Sequence, residues 1–155
     1  MLSKHSPDGI HVRGCKIMSF PKIEDERGNL TFFESTLHVH YEFKRIFYLY
    51  DVPAGAERGG HALKRCHQLL IAVAGSFDVI VDDGDKRQRI NLHSPHHGLQ
   101  LAPMVWREMN NFSAGAVCLV VASERYSESD YFRDYAGFHE ALRKSSIDVD
   151  SGRPD

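Results

Sequence analysis

The sequence is poor in cysteine and in long apolar stretches, and each shortage excludes a class of protein. Its three cysteines, Cys15, Cys66 and Cys118, stand far apart with no CxxC pair. An odd count at that spacing is neither a disulfide framework nor a zinc knuckle. No apolar run approaches the roughly 20 residues of a membrane-spanning helix, and the opening MLSKHSPDGI lacks the apolar centre of a signal peptide. Neither charge sign dominates: 19 basic and 21 acidic residues are interspersed, for a net charge of −2. That balance argues against a nucleic-acid or membrane partner. The Asn111-Phe112-Ser113 sequon then reads as chance, and a cytoplasmic location is expected. No internal repeat or low-complexity tract is present.

What is there suits one small domain. The 155 residues are 42% hydrophobic, enough for a core, and a chain of this size gains further burial by dimerising. Residues 1–14 are polar and broken by Pro7 and Gly9, so a flexible N-terminal segment is expected there. The single domain is expected over 15–143, with a disordered tail over 144–155. Within the domain, short apolar runs alternate with turn clusters such as Asp25-Glu26-Arg27-Gly28, Pro53-Ala54-Gly55 and Asp82-Asp83-Gly84-Asp85. This punctuation predicts antiparallel strands over 30–34, 44–50, 68–74, 77–81, 89–92, 98–101 and 117–122. Seven short strands at close spacing point to a sandwich or barrel. From Ser127 the period changes: Tyr131, Tyr135, Phe138 and Leu142 recur at helical intervals, which predicts one short C-terminal helix with Ser127 or Ser129 as its N-cap. The stripe reads as the core face of a docking helix.

The chemistry is concentrated in Gly55-Ala56-Glu57-Arg58-Gly59-Gly60-His61-Ala62-Leu63 and its continuation to Gln68 and Gly75. This stretch resembles the first cupin motif, with Gly55, His61 and Gly75 in place, Leu63 at the second histidine and Gln68 at the glutamate. A fainter second motif runs from Pro103 to Glu108. The fold class expected is therefore all-β, a jelly-roll cupin barrel with a short C-terminal helix. In a metal cupin, residues two apart on one strand offer two imidazoles to one ion. Here only His61 and Glu108 remain of that set, and two ligands do not close a protein metal site. His93, His96 and His97 flank Pro95 and Gly98 in an expected loop. No metal and no cofactor are expected.

The remaining candidate lining is Arg45, Tyr48, Arg58, His61, Gln68, Trp106, Arg107 and Glu108. Arginines suit bidentate recognition of phosphate or carboxylate, and a histidine of near-neutral pKa suits moving a proton. Taken singly, each has a plainer reading. His61 alone would be a satisfied core histidine, Trp106 plain core, Gln68 a partner for buried backbone groups, and the arginines surface ion-pair partners. The position of His61 after Arg58-Gly59-Gly60 favours function.

With those residues in order, the sequence resembles the WxcM-like cupins, the dTDP-4-keto-6-deoxyglucose 3,4-ketoisomerase family. The resemblance runs from about Pro21 to Phe138. It is carried by Asp25-Glu26-Arg27-Gly28-Asn29-Leu30, by the run from Lys44 to Pro53, by Arg58-Gly59-Gly60-His61-Ala62, by Pro103-Met104-Val105-Trp106-Arg107-Glu108-Met109, and by the run from Ser127 to Tyr135. It implies a metal-free, dimeric, cytoplasmic enzyme. The reaction implied moves the keto group of a dTDP-linked 4-keto-6-deoxyhexose from C4 to C3, on the way to amino sugars of surface polysaccharide such as the lipopolysaccharide O-antigen.

The resemblance makes His61 the shuttling base, with Tyr48 as a second catalytic group polarising a hydroxyl. Arg45 and Arg58 become holders of pyrophosphate or oxyanion, and Arg27 and Arg107 neighbours of the hexose. Strand parity sets Tyr48 opposite Arg45 unless the strand bulges. Leu63 stands where the family has histidine, so a two-histidine relay is unavailable. The alternatives are a dTDP-sugar-binding cupin without catalysis or with altered specificity, and an ordinary metal-dependent cupin enzyme, which Leu63 and Gln68 disfavour. A homodimer is expected, formed by covering an edge strand at residues 30–34.

Overall fold

The computed structural model describes residues 8–151. Twelve strands precede one helix: β1 (Cys15–Ser19), β2 (Lys22–Ile23), β3 (Leu30–Thr31), β4 (Arg45–Leu49), β5 (Arg58–Leu63), β6 (Gln68–Ala74), β7 (Phe77–Asp82), β8 (Arg87–Leu92), β9 (His97–Leu101), β10 (Trp106–Asn110), β11 (Val117–Ala122), β12 (Tyr131–Phe132) and α1 (Tyr135–Ser151). All but β2 and β3 join two five-stranded sheets, ordered β1-β9-β6-β11-β4 and β12-β5-β10-β7-β8. Every strand pairing is antiparallel. The sheets face each other as a jelly-roll sandwich of the cupin type, without closing into one continuous barrel.

The alternation along the strands builds the core. Leu70, Ala72, Leu99, Leu101, Cys118 and Val120 from the first sheet meet Phe77, Val79, Val81, Leu92 and Met109 from the second, all buried. The even positions of β6 thus face the interior. Its odd positions Leu69 and Ile71 face outward, where Phe20, Val39 and Tyr41 cover them. The outer face of the second sheet is covered by α1, whose fully buried Phe138 packs on Ala62 and Trp106.

The expected strands are all present, with β6 and β11 at the expected bounds, but the strand at 30–34 is only two residues long and pairs with β2. Three longer strands were not legible: β1, β5 and β10. The C-terminal helix begins later than its stripe suggests. Residues Glu128–Asp130 form a single 3-10 turn and Tyr131–Phe132 a strand on the edge of β5. Neither Ser127 nor Ser129 caps α1; Asp134 does, its Oδ2 accepting the Gly137 N–H at 2.8 Å.

The N-terminal segment departs from expectation as well. Ile10 and Val12 lie in the core, and the Asp8 carboxylate accepts the N–H groups of Ile10 and Ile17, so 8–14 is docked. The part over 1–7 lies outside the described residues. The expected disordered tail is helical as far as Ser151, and its remainder lies outside the described residues. No helix among them is long and apolar enough to cross a membrane.

Candidate functional site

His61 sits on β5, where odd positions face the interior. Two glycines precede it, and Gly59 has a structural reason to be glycine: at φ +82° a Cβ would meet the Arg107 carbonyl oxygen at 3.1 Å and Glu108 Cα at 3.3 Å. That close approach coincides with a register shift in the β5–β10 pairing, after which Arg107 stands opposite His61. Both side chains enter the sandwich.

Arg107 is 1% exposed. It donates to the Gln68 side-chain oxygen at 2.6 Å and to the Val105 carbonyl at 3.0 Å. Burial lowers its pKa to about 10, so it is still a cation at neutral pH. Arg45 comes in from β4 on the same interior face as Phe47 and Leu49, its guanidinium 5.1 Å from the Phe47 ring centroid and 5.5 Å from that of Tyr126. Tyr126 lies 5.7 Å from Tyr131, and Tyr131 lies 5.1 Å from the His61 ring, between centroids. Arg133 stacks over Tyr131 at 4.2 Å and forms an ion pair with Glu128. The result is a mouth of arginine and aromatic rings with the imidazole at its floor.

Electrostatics follow from that company. Burial, then the charge of Arg107, then those of Arg133 and Arg45, push the His61 pKa down to about 3. The imidazole is therefore neutral at physiological pH rather than near half-protonated. Four polar atoms in this region are buried without a hydrogen-bond partner: His61 Nδ1, Arg45 Nε, Gln68 Nε2 and Arg107 Nε. Buried polar groups are normally satisfied, so such a group of orphans marks a place that an anionic, hydrogen-bonding ligand would complete. Among the described residues, no three His, Cys, Asp or Glu side chains converge in a way that could hold a metal ion.

The structure brings together four of the nine sequence-derived candidates: His61, Arg107, Gln68 and Arg45. Tyr48 is 59% exposed on the outward face of β4, stacked near Tyr50 at 5.7 Å, because β4 is a regular strand and parity holds. Trp106 and Glu108 flank Arg107 and so face the other way. Trp106 packs against Phe138 and Tyr135 of α1, and Glu108 pairs with Arg87. Arg27 is a solvent-exposed turn residue whose side chain pairs with Asp25 at 2.9 Å. Arg58 is exposed and lines a 390 Å³ hollow with Tyr48, Tyr50 and Pro53.

Sequence reasoning missed Tyr126, Tyr131 and Arg133. The available signal was Asp134 three residues before Gly137, a better helix start than Ser127. It would have left Tyr131 outside the helix, free to alternate with Phe132.

A family profile described as FdtA, WxcM-like, C-terminal matches residues 13–143. The chain is 40% identical over 133 residues to the TDP-4-oxo-6-deoxy-alpha-D-glucose-3,4-oxoisomerase of Aneurinibacillus thermoaerophilus, covering 86% of this chain and 96% of that protein. A mutant of the 3,4-ketoisomerase QdtA from Thermoanaerobacterium thermosaccharolyticum, solved with TDP-4-keto-6-deoxyglucose, superposes with a TM-score of 0.84 at 35% identity over 86% of this chain and 96% of that one. The TDP-quinovose 3,4-ketoisomerase WlaRB of Campylobacter jejuni does so with a TM-score of 0.80 at 40% identity, over 83% and 99%. The chain belongs to the FdtA family of WxcM-like sugar 3,4-ketoisomerases.

Proposed function

We propose that this protein isomerises a TDP-linked 4-keto-6-deoxyhexose to the 3-keto sugar, with His61 as the base that takes the C3 proton and returns it at C4. The observation that carries this reading is geometric: the half-buried His61 ring stands opposite Arg107 and beside Tyr131, with its Nδ1 buried and unpartnered. Burial and the charges of Arg107, Arg133 and Arg45 lower its pKa and keep it neutral. A neutral ring has its lone pair free at pH 7. Protonating it is opposed by Arg107, Arg133 and Arg45. Once a pyrophosphate and a developing enediolate enter, their negative charge offsets the arginines and raises the imidazole pKa toward the working range. The site thus suits an anionic substrate. Arg107 and Arg45, each with an unpartnered buried Nε, are the donors for the oxyanion and the phosphates.

The test is incubation with TDP-4-keto-6-deoxyglucose in deuterated water, followed by NMR. Deuterium exchange at C3 together with migration of the ketone supports the reading. TDP binding without either selects the second reading, a binding-only cupin, which draws on Leu63: fully buried beside Cys66, Ala122 and Tyr131, it transfers no proton.

The working unit in this reading is a homodimer. The edge strand first expected to mediate it is too short, and support comes instead from apolar side chains on the outward face of the first sheet. Ile46, Tyr48 and Tyr50 are 59%, 59% and 61% exposed, and Val73 40%. Sedimentation at micromolar concentration should give twice the 17.6 kDa chain mass. A cytoplasmic location and a product destined for amino sugars of surface polysaccharide complete the reading and rest on family resemblance.

A further inference from the structure

The isomerisation relocates two protons, one from C3 to C4 and one from the O3 hydroxyl to O4. An imidazole that serves the carbon pair leaves the oxygen pair unserved, and Leu63 cannot serve it. We propose that Tyr131 is the catalytic residue for the oxygen pair, an assignment that rests on the isomerase reading of the His61 site.

The placement follows from the edge strand. Tyr131 pairs in register with Leu63 and Phe132 with Ala62. Ala62 and Phe132 face α1, so Tyr131 and Leu63 share the opposite, interior face. There Tyr131 packs on Leu63, Cys66 and Ala122, with its ring 5.1 Å from that of His61. It therefore stands across from the position where the family carries its second histidine. The Tyr131 hydroxyl has no hydrogen-bond partner among the described residues, so it is free for a ligand. The Arg133 guanidinium stacks 4.2 Å over its ring and holds the ring in place beside His61.

Other groups near His61 serve less well. The Tyr126 hydroxyl is bonded to Glu128 and its side chain is 60% exposed. The Cys15 thiol is pushed up to about 12 by burial. Arg107 is already committed through its guanidinium to Gln68 and Val105, and Arg45 and Arg133 are cations stacked on aromatic rings.

The steps balance without an external reagent. His61 takes the C3 proton, the C–H electrons form the C3–C4 double bond, and O4 takes the Tyr131 proton, which leaves a neutral enediol. The Tyr131 phenolate then takes the O3 proton, the C3 carbonyl forms, and C4 takes the proton back from the His61 imidazolium. O3 and O4 are vicinal, so one phenol between them reaches both.

The experiment compares wild type with Tyr131→Phe using TDP-4-keto-6-deoxyglucose, alongside TDP affinity and thermal unfolding. The expected result is a kcat lower by about 10² or more, the scale of losing an acid–base group, with KM and TDP affinity within about twofold. A Tyr131→Phe enzyme within about threefold of an active wild type overturns the assignment of Tyr131 alone. A wild type that binds TDP and isomerises nothing overturns the isomerase reading, and this assignment with it. Should Tyr131→Phe fail to fold, fluorotyrosine at position 131 keeps the shape and makes the phenol more acidic. The high-pH limb of kcat must then move to lower pH, and a limb that stays in place overturns the proposal.

Discussion

The two faces of the second sheet use the same strands for opposite purposes. Along β10, Trp106 and Glu108 face α1 while Arg107 between them enters the sandwich; along β5, Ala62 faces α1 while His61 and Leu63 enter. On the outward face the charges are mutually satisfied. Arg87 bridges Asp82 and Glu108, and the Tyr135 hydroxyl donates to Asp82 at 3.0 Å; the buried Trp106 indole N–H has no partner among the described residues. On the inward face His61 has no hydrogen bond at Nδ1 and Arg107 keeps Nε unpartnered, and Gln68, which meets Arg107 from the first sheet, keeps one unpartnered nitrogen. Leaving a buried polar group unpaired costs about 1–3 kcal/mol. A sheet that satisfies one face and leaves the other open separates a structural surface from a binding one.

Substitutions on the two faces should therefore separate activity from stability. The largest effect belongs inward. His61→Asn should lower turnover by about 10² or more while TDP affinity changes little, as read by steady-state kinetics and calorimetry. Comparable turnover in the variant would move the base elsewhere. Outward, Trp106→Ala should cost about 3–5 kcal/mol of stability, because Trp106 is 5% exposed beneath α1. Turnover per folded molecule should stay within a few-fold of wild type. Urea unfolding paired with active-site titration checks both halves, and a stable variant that has lost activity would reverse the assignment of faces.

A smaller effect is pH-dependent. The folded His61 pKa, about 3, lies below the unfolded value of about 6.5. The unfolded chain then binds a proton that the folded one refuses. Stability from keeping the ring neutral is present above about pH 6.5 and is lost as pH falls toward 3, by at most about 1.4 kcal/mol per pH unit. His61→Asn should lack that component, so the wild-type minus variant difference should shrink between pH 6.5 and 5; a constant difference contradicts it. The smallest effects are expected at Tyr48→Phe and Arg27→Gln in the kinetic assay, each within about twofold, since neither side chain reaches the His61 mouth.

The sequence made the fold class legible, and β6 and β11 to the residue, because Gln68–Ala74 and Val117–Ala122 are unbroken apolar runs bounded by turns. It hid β5 and β10, whose residues RGGHAL and WREMN mix charge, glycine and aromatics. Such strands look like loops until both faces are known to be buried by different partners. Once β10 is a strand, parity alone sends Trp106 and Glu108 away from Arg107. Tyr48 was readable by the same rule, and the structure keeps it. His61 was found from motif spacing. Its neutrality was not, since it depends first on burial and then on Arg107, Arg133 and Arg45, which come together only in three dimensions.

The central claim is that the inward face holds His61 neutral and ready for an anionic sugar nucleotide. Titration of the His61 ring by ¹⁵N NMR, in the free protein and with TDP bound, tests it most directly. The account predicts a neutral ring throughout pH 5–8 in the free protein and an upward shift in its pKa when TDP binds. A free-protein midpoint near 6.5, unmoved by TDP, would contradict it.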